Sequence, residues 1–327
     1  MRQQLPRRAL MPLAGLTGIG ICARVLAPIA EAAATLTINA AGTLAGPFHE
    51  IDAAFQRANP GVTVEPRFGG SVMMAKRITE LHQPADILAV ADFSVIPHYL
   101  FGAGGNKGLA DWYVGFARNA ITFVYTAQSK GAHDINSKNW YEVLARPGVE
   151  IGRSNPDTDP SGYQTLQMLQ LAERYYKSPG LADRVLKNAP QRNIRDTETD
   201  LISALQLGQI DYLAIYRSDA LQHHLKDVDL PPEINLSDPA MAKQYATAVI
   251  HTRNGDLPGK PIVYAATIPS DAPSAALAAK YVAYLLGPEG QAVIARDGFG
   301  AMKPALLVNA KGAPAAVRAL AEPWPGS

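Results

Sequence analysis

From residue 35 onward, short β-prone runs alternate with amphipathic helical segments, and small-residue turns join them. No other feature of the chain constrains its fold as much. Thr35-Leu-Thr-Ile-Asn-Ala40 reads as a strand, Ala41-Gly42-Thr43 as a turn, and residues 47–58 as a helix stopped by Asn59-Pro60-Gly61. Residues 62–68 read as a second strand and Gly69-Gly70-Ser71 as a second turn. A helix over 72–81 follows, with Val72, Ala75, Ile78 and Leu81 spaced for one apolar face. Residues 86–90 close a βαβαβ unit, for which a parallel sheet with right-handed crossovers is the simplest topology.

A second block has the same style. Strands are expected at 121–126, 149–154, 212–216 and 262–268, with helices at 161–176, 274–286 and 288–296. Thr197-Glu-Thr-Asp200 looks like a capping box opening a helix that ends at Gly208. The strands are too many for a usual single sheet, so 327 residues predict an α/β protein of two lobes, each a mostly parallel sheet flanked by helices.

Residues 1–34 stand apart. Arg2, Arg7 and Arg8 head a mostly apolar run that ends in small residues, which is the pattern of a cleaved secretory signal. The Arg7-Arg8 pair leaves open a twin-arginine route, and Cys22 leaves open a lipid anchor. Removing this segment takes away four basic residues, one acidic residue and the only cysteine. The remaining 26 basic and 28 acidic residues carry no basic stripe, so nucleic acid is not an expected partner. An exported chain without cysteine suits a bacterial periplasm and needs no disulfide. No later stretch reads as a membrane span.

Three turns between a strand and a helix carry the functional signal: Ala41-Gly42-Thr43, Gly69-Gly70-Ser71 and Asp159-Pro160-Ser161-Gly162. Each offers backbone N–H groups and a hydroxyl at a helix start, which suits an anion. Ordinary N-capping by Thr43, Ser71 and Ser161 explains any one of them. Three at the same end of parallel strands point to a ligand. Asp157 and Asp159 fit turn chemistry or a carboxylate pair, and Glu233 lies in an apolar setting. The adjacent His223 and His224 point to different sides of a helix. The glycine-rich run 102–108 has no phosphate-loop spacing, and no G-x-S-x-G or H-E-x-x-H motif occurs.

These stretches, with Ser154-Asn-Pro-Asp-Thr-Asp-Pro-Ser-Gly-Tyr163, Leu230-Pro-Pro-Glu-Ile-Asn-Leu236 and Leu285-Leu-Gly-Pro-Glu-Gly-Gln291, resemble the molybdate/tungstate-binding proteins of ABC import systems. The branch is the one first known from archaea, and the order is kept from about residue 35 to 305. The resemblance implies a type II periplasmic binding protein fold with the ligand between two hinged lobes. It implies a six-coordinate metal centre, with four oxo groups and two protein carboxylates that map onto Asp159 and Glu233. Donors to the oxo groups map onto Thr43, Ser71, Ser161 and Tyr245. Where the family commonly has Cys, this chain has Ser161, which still offers a donor. The implied partners are a membrane permease and its ATPase subunit; no catalytic residue and no cofactor is expected, and a monomer is the default.

A dianion beside two carboxylates is repelled by on the order of several kcal/mol in a low-dielectric cleft. The arrangement becomes favourable when the carboxylates bond a metal that expands its coordination, as molybdenum and tungsten do and tetrahedral sulfate and phosphate do not. The lobes are expected at about 35–120 plus 265–327 and at 121–264, with hinge strands at 121–126 and 262–268. Three other readings remain, one of them a sensory protein with no permease. A sulfate, phosphate or organic-acid binder would bring Arg67, Arg153 or Arg217 to the cleft, and an exported metal-dependent hydrolase would use Asp157, Asp159 and Glu233.

Overall fold

A computed structural model describes residues 34–102, 108–253 and 255–325. Residues 1–33 of the signal-like segment, Cys22 among them, lie outside the described residues, and its last residue, Ala34, opens the first strand. The strands are β1 (Ala34–Ala41), β2 (Val62–Gly69), β3 (Ile87–Val90), β4 (Tyr113–Arg118), β5 (Ile121–Tyr125), β6 (Ile151–Ser154) and β7 (Ile194–Arg195). They continue with β8 (Tyr212–Tyr216), β9 (Lys226–Asp227), β10 (Val249–Thr252), β11 (Gly255–Pro258), β12 (Val263–Thr267), β13 (Gly300–Val308) and β14 (Ala321–Pro323). Twelve of them form two sheets, one of seven strands in the order β14-β13-β4-β12-β3-β1-β2 and one of five in the order β7-β6-β8-β5-β9. β10 and β11 make a separate hairpin.

Both sheets are mixed rather than mostly parallel. β3, β1 and β2 run parallel, as the βαβαβ reading predicts, but β4 and β12 are antiparallel to their neighbours. In the smaller sheet β7, β6 and β8 are parallel, and β5 is antiparallel to β8. The chain crosses from one sheet to the other between β4 and β5 and returns between β11 and β12. β5 and β12, the strands that each crossing leads into, are entered without a helical crossover, which frees them from the parallel rule. The two crossings touch, the Asn119 amide donating to the Ile262 carbonyl at 3.3 Å.

Helices cover both faces. Ala45–Ala58 buries Phe48, Ile51 and Phe55, spaced for one stripe, against Ala275–Leu286, where Tyr281 meets Phe48 and Phe55 edge-on at 6.2 and 5.1 Å. Its end is closed by the Asn59 side chain donating to the Phe55 carbonyl at 2.8 Å. The helix expected to run to residue 81 stops at Thr79. Leu81 is left exposed, and His82 takes a positive φ of 51°. Among the described residues no helix is long and apolar enough to cross a membrane.

Candidate functional site

Four turns, not three, leave the carboxyl ends of parallel strands and open helices at one place. After β1 comes the 3-10 turn Gly42–Leu44; after β2, the helix Ser71–Thr79; after β6, the helix Pro160–Tyr175; after β7, the 3-10 turn Glu198–Leu201. The first two belong to the larger sheet and the last two to the smaller.

Glycine permits the close approach of the two halves. A Cβ on Gly70 would lie 2.5 Å from the Thr158 carbonyl oxygen, 2.8 Å from that of Asp196 and 3.1 Å from the Asp159 Cβ. A Cβ on Gly42 would lie 2.9 Å from the Thr199 hydroxyl. The Met73 amide, in the first turn of its helix, donates across the gap to the Thr158 carbonyl at 3.3 Å. The structure is therefore of the closed form, with Thr43, Ser71, Asp159 and Ser161 all buried around one spot.

At its centre two carboxylates meet one hydroxyl. Ser161 Oγ lies 2.8 Å from Asp159 Oδ2, 2.9 Å from Glu198 Oε2 and 2.6 Å from Ser154 Oγ. Asp159, Ser161 and Glu198 are 3%, 0% and 1% exposed. Asp159 holds the N-cap position of the helix Pro160–Tyr175 but makes no side-chain cap bond, so its carboxylate is aimed into the site. Burial, and next the charge of Asp159, holds the Glu198 carboxyl well above the usual range. A hydroxyl has one proton and three oxygen neighbours here, so Ser161 cannot donate to all of them at once. Thr43 Oγ1 lies 2.8 Å from the Tyr264 hydroxyl. Burial first, then the charges of Asp219 and Glu198 among others, raises Tyr264 well above its ordinary value. Ser71 Oγ accepts the Ala91 amide at 3.0 Å.

The structure brings together Thr43, Ser71, Asp159 and Ser161, but not Glu233 or Tyr245. The Glu233 carbonyl accepts from Gln244 at 2.9 Å. Burial is the first cause that raises the hydroxyls of Tyr176 and Tyr245, and the Glu233 charge is the smallest cause for both, so that carboxylate lies within electrostatic reach of them. Tyr176 caps the far end of the helix whose first turn holds Asp159. Seventeen residues at 1.5 Å each separate those ends by roughly 25 Å. The Tyr245 hydroxyl is committed locally, donating to the Pro232 carbonyl and accepting the Asp238 amide at 3.2 Å.

Asp157 is a turn residue, its amide bound to Asn155 Oδ1 at 3.1 Å and its carboxylate 3.4 Å from Arg253. The trio Asp157, Asp159 and Glu233 is therefore spread over separate places. The arginines of the alternative ligand reading have other surroundings. Arg217 pairs with Asp227 and Asp229, Arg153 donates to the Ser154 carbonyl at 3.0 Å, and Arg67 is exposed on β2.

Glu198 is the residue that the sequence reading missed, because Thr197-Glu-Thr-Asp200 passes for a capping box. No such cap forms: Thr197 makes no side-chain cap bond and Asp200 is exposed. The available signal was its address, an acidic residue at a helix start directly after a strand.

The chain matches the model of a family described as bacterial extracellular solute-binding protein over residues 36–300. A Petrotoga mobilis relative, named only as a solute-binding protein, is 39% identical over 280 residues, covering 84% of this chain and 86% of the relative. The molybdate/tungstate-binding protein WtpA of Thermococcus kodakarensis is 37% identical over 291 residues, covering 80% and 81%. Among solved structures, the periplasmic molybdate-binding protein of Azotobacter vinelandii superposes with a TM-score of 0.58 at 19% identity, covering 82% of this chain and 100% of that one. The sulfate-binding protein SubI of Mycobacterium tuberculosis gives 0.58 at 16%, covering 89% and 94%. These likenesses show the two-lobed periplasmic binding protein fold, and the family match together with the relatives shows that the chain belongs to the bacterial extracellular solute-binding proteins.

Proposed function

We propose that the chain is the substrate-binding component of an ABC importer. It captures tungstate or molybdate in the periplasm and delivers it, as a monomer, to a membrane permease with its own ATPase subunit. The observation that carries this reading is the pair of buried carboxylates, Asp159 and Glu198, joined through Ser161 where four helical starts converge. The helix starts and the hydroxyls of Thr43, Ser71 and Ser161 suit the oxo groups, and the two carboxylates suit a metal able to take two more oxygen ligands. Glu198 takes the place that the family resemblance mapped onto Glu233, and Tyr264 the place mapped onto Tyr245. The name of the Thermococcus relative supports the same ligand class.

The lobes are proposed at about 35–120 plus 265–327 and at 121–264, a division supported by the strand membership of the two sheets. An oxyanion touching both lobes stabilises the closed form, because that form alone makes every contact. The reading assigns no catalytic residue and no cofactor. Calorimetric titration with tungstate, molybdate and sulfate tests it. Stoichiometric binding of the first two, with sulfate weaker by at least about a hundredfold, is expected. Equal affinity for sulfate overturns the carboxylate argument.

A further inference from the structure

A second buried cluster joins the two lobes outside the oxyanion site. Asp92, 1% exposed, follows β3 on the larger sheet. Its Oδ1 accepts the Ser94 amide and the Ser94 hydroxyl, both at 2.8 Å. Its Oδ2 accepts the Tyr163 hydroxyl at 2.7 Å and faces the Lys260 ammonium at 3.6 Å. Lys260 also donates to Ser94 Oγ at 2.5 Å and lies 5.6 Å from the centre of the Phe93 ring. Tyr163 stands on the helix Pro160–Tyr175, packed on the smaller sheet. Lys260 sits on the return crossing, which is anchored to the same lobe. There the Gly259 amide donates to the Ala248 carbonyl at 2.7 Å and the Ile262 amide to the Leu236 carbonyl at 2.8 Å.

Both carboxylate oxygens of Asp92 are thus satisfied, and the partners of Oδ2 come from the helix Pro160–Tyr175 and from the return crossing. Removing one partner of such a buried group while the other stays in place leaves an uncompensated charge or hydroxyl, which opposes closure. A cavity of about 200 Å³ beside the cluster is lined from both lobes, by Ser94 and Tyr99 on one side and Tyr163 and Lys260 on the other.

We propose that Asp92, Tyr163 and Lys260 form an interlobe clasp that sets the balance between open and closed forms, and with it the time for which a captured oxyanion is held. These are positioning residues, acting on the ligand through closure. The identity of that oxyanion rests on the function proposed above.

The test compares wild type with Asp92→Asn, Tyr163→Phe and Lys260→Met. Tungstate association and dissociation are followed by stopped-flow tryptophan fluorescence, and the ligand-free radius of gyration by small-angle X-ray scattering. Dissociation is expected to accelerate by about tenfold or more in each variant, with association changed less than about threefold. The Asp92→Asn/Tyr163→Phe double variant should lose less than the product of the two single effects. The ligand-free radius of gyration should rise in all three. Urea midpoints within experimental error of wild type confirm that the variants fold. Folded variants with wild-type dissociation rates and an unchanged radius of gyration overturn the clasp. If wild type binds neither tungstate nor molybdate, the function proposal fails, and scattering decides the clasp by itself: a larger ligand-free radius supports it and an unchanged one overturns it.

Discussion

Glu198 and Glu233 make opposite use of the same side chain. Glu233 lies near the Tyr176 and Tyr245 hydroxyls, partly exposed on the helical turn Pro232–Asn235. Glu198 is buried against a like charge, which is costly unless a ligand or a proton relieves it. Glu198→Gln should therefore lower tungstate affinity by at least about a hundredfold while raising the ligand-free melting temperature by a few degrees. Glu233→Gln should leave both unchanged. Calorimetry and thermal unfolding of the two variants check this, and loss of tungstate binding in Glu233→Gln alone would reverse the assignment. The contrast also marks the limit of residue-by-residue reading. Asp159 and Ser161 were legible because a Pro-x-Gly turn announces a helix start after a strand. Glu198 sits in a pattern that local capping explains equally well, and only tertiary placement separates the two.

Between elements, the same contrast holds. The strands β1, β2, β3 and β8 stand within a residue or two of where alternation and turn residues put them, because each is bounded by strong local breakers. β4, β13 and the β10–β11 hairpin had no such signal; they are set by long-range pairing, as β4 with β12 and β13. One packing contact carries a pH dependence. Asp52, on the helix Ala45–Ala58, accepts the Tyr281 hydroxyl of the helix Ala275–Leu286, and its second oxygen is buried without a partner. Burial pushes its carboxyl up to about 6, against smaller opposing effects of the Tyr281 bond and His49. The folded state then holds this proton more tightly than the unfolded chain. Its contribution is fully present below about pH 4 and is lost as pH rises to about 6. Asp52→Asn should match wild type near pH 4 and exceed it at pH 8 by about 1–3 kcal/mol. Thermal melts across that range check it, and a difference independent of pH refutes it.

For the molecule as a whole, closure depends on the absence of a side chain at residue 70. A methyl group there would meet the backbone oxygens of Thr158 and Asp196, both from the other lobe. Backbone atoms give way far less readily than a flexible side chain. Gly70→Ala should hold the cleft ajar, weaken tungstate binding by about tenfold or more, and leave ligand-free stability within about 1 kcal/mol of wild type. Titration and urea unfolding of the variant test this, and wild-type affinity would show that the observed approach is not required for capture. The two crossings between the lobes complete the picture. They lie side by side, and Asn119 is hydrogen-bonded to Ile262. Two adjacent pins on one line leave a door a single easy swing, while sliding or twisting would strain one pin or part the pair. Under the function proposed above, a guest arriving from solvent would meet jaws that shut along one arc, and the same arc would bring the Asp92 cluster and the oxyanion site into register together.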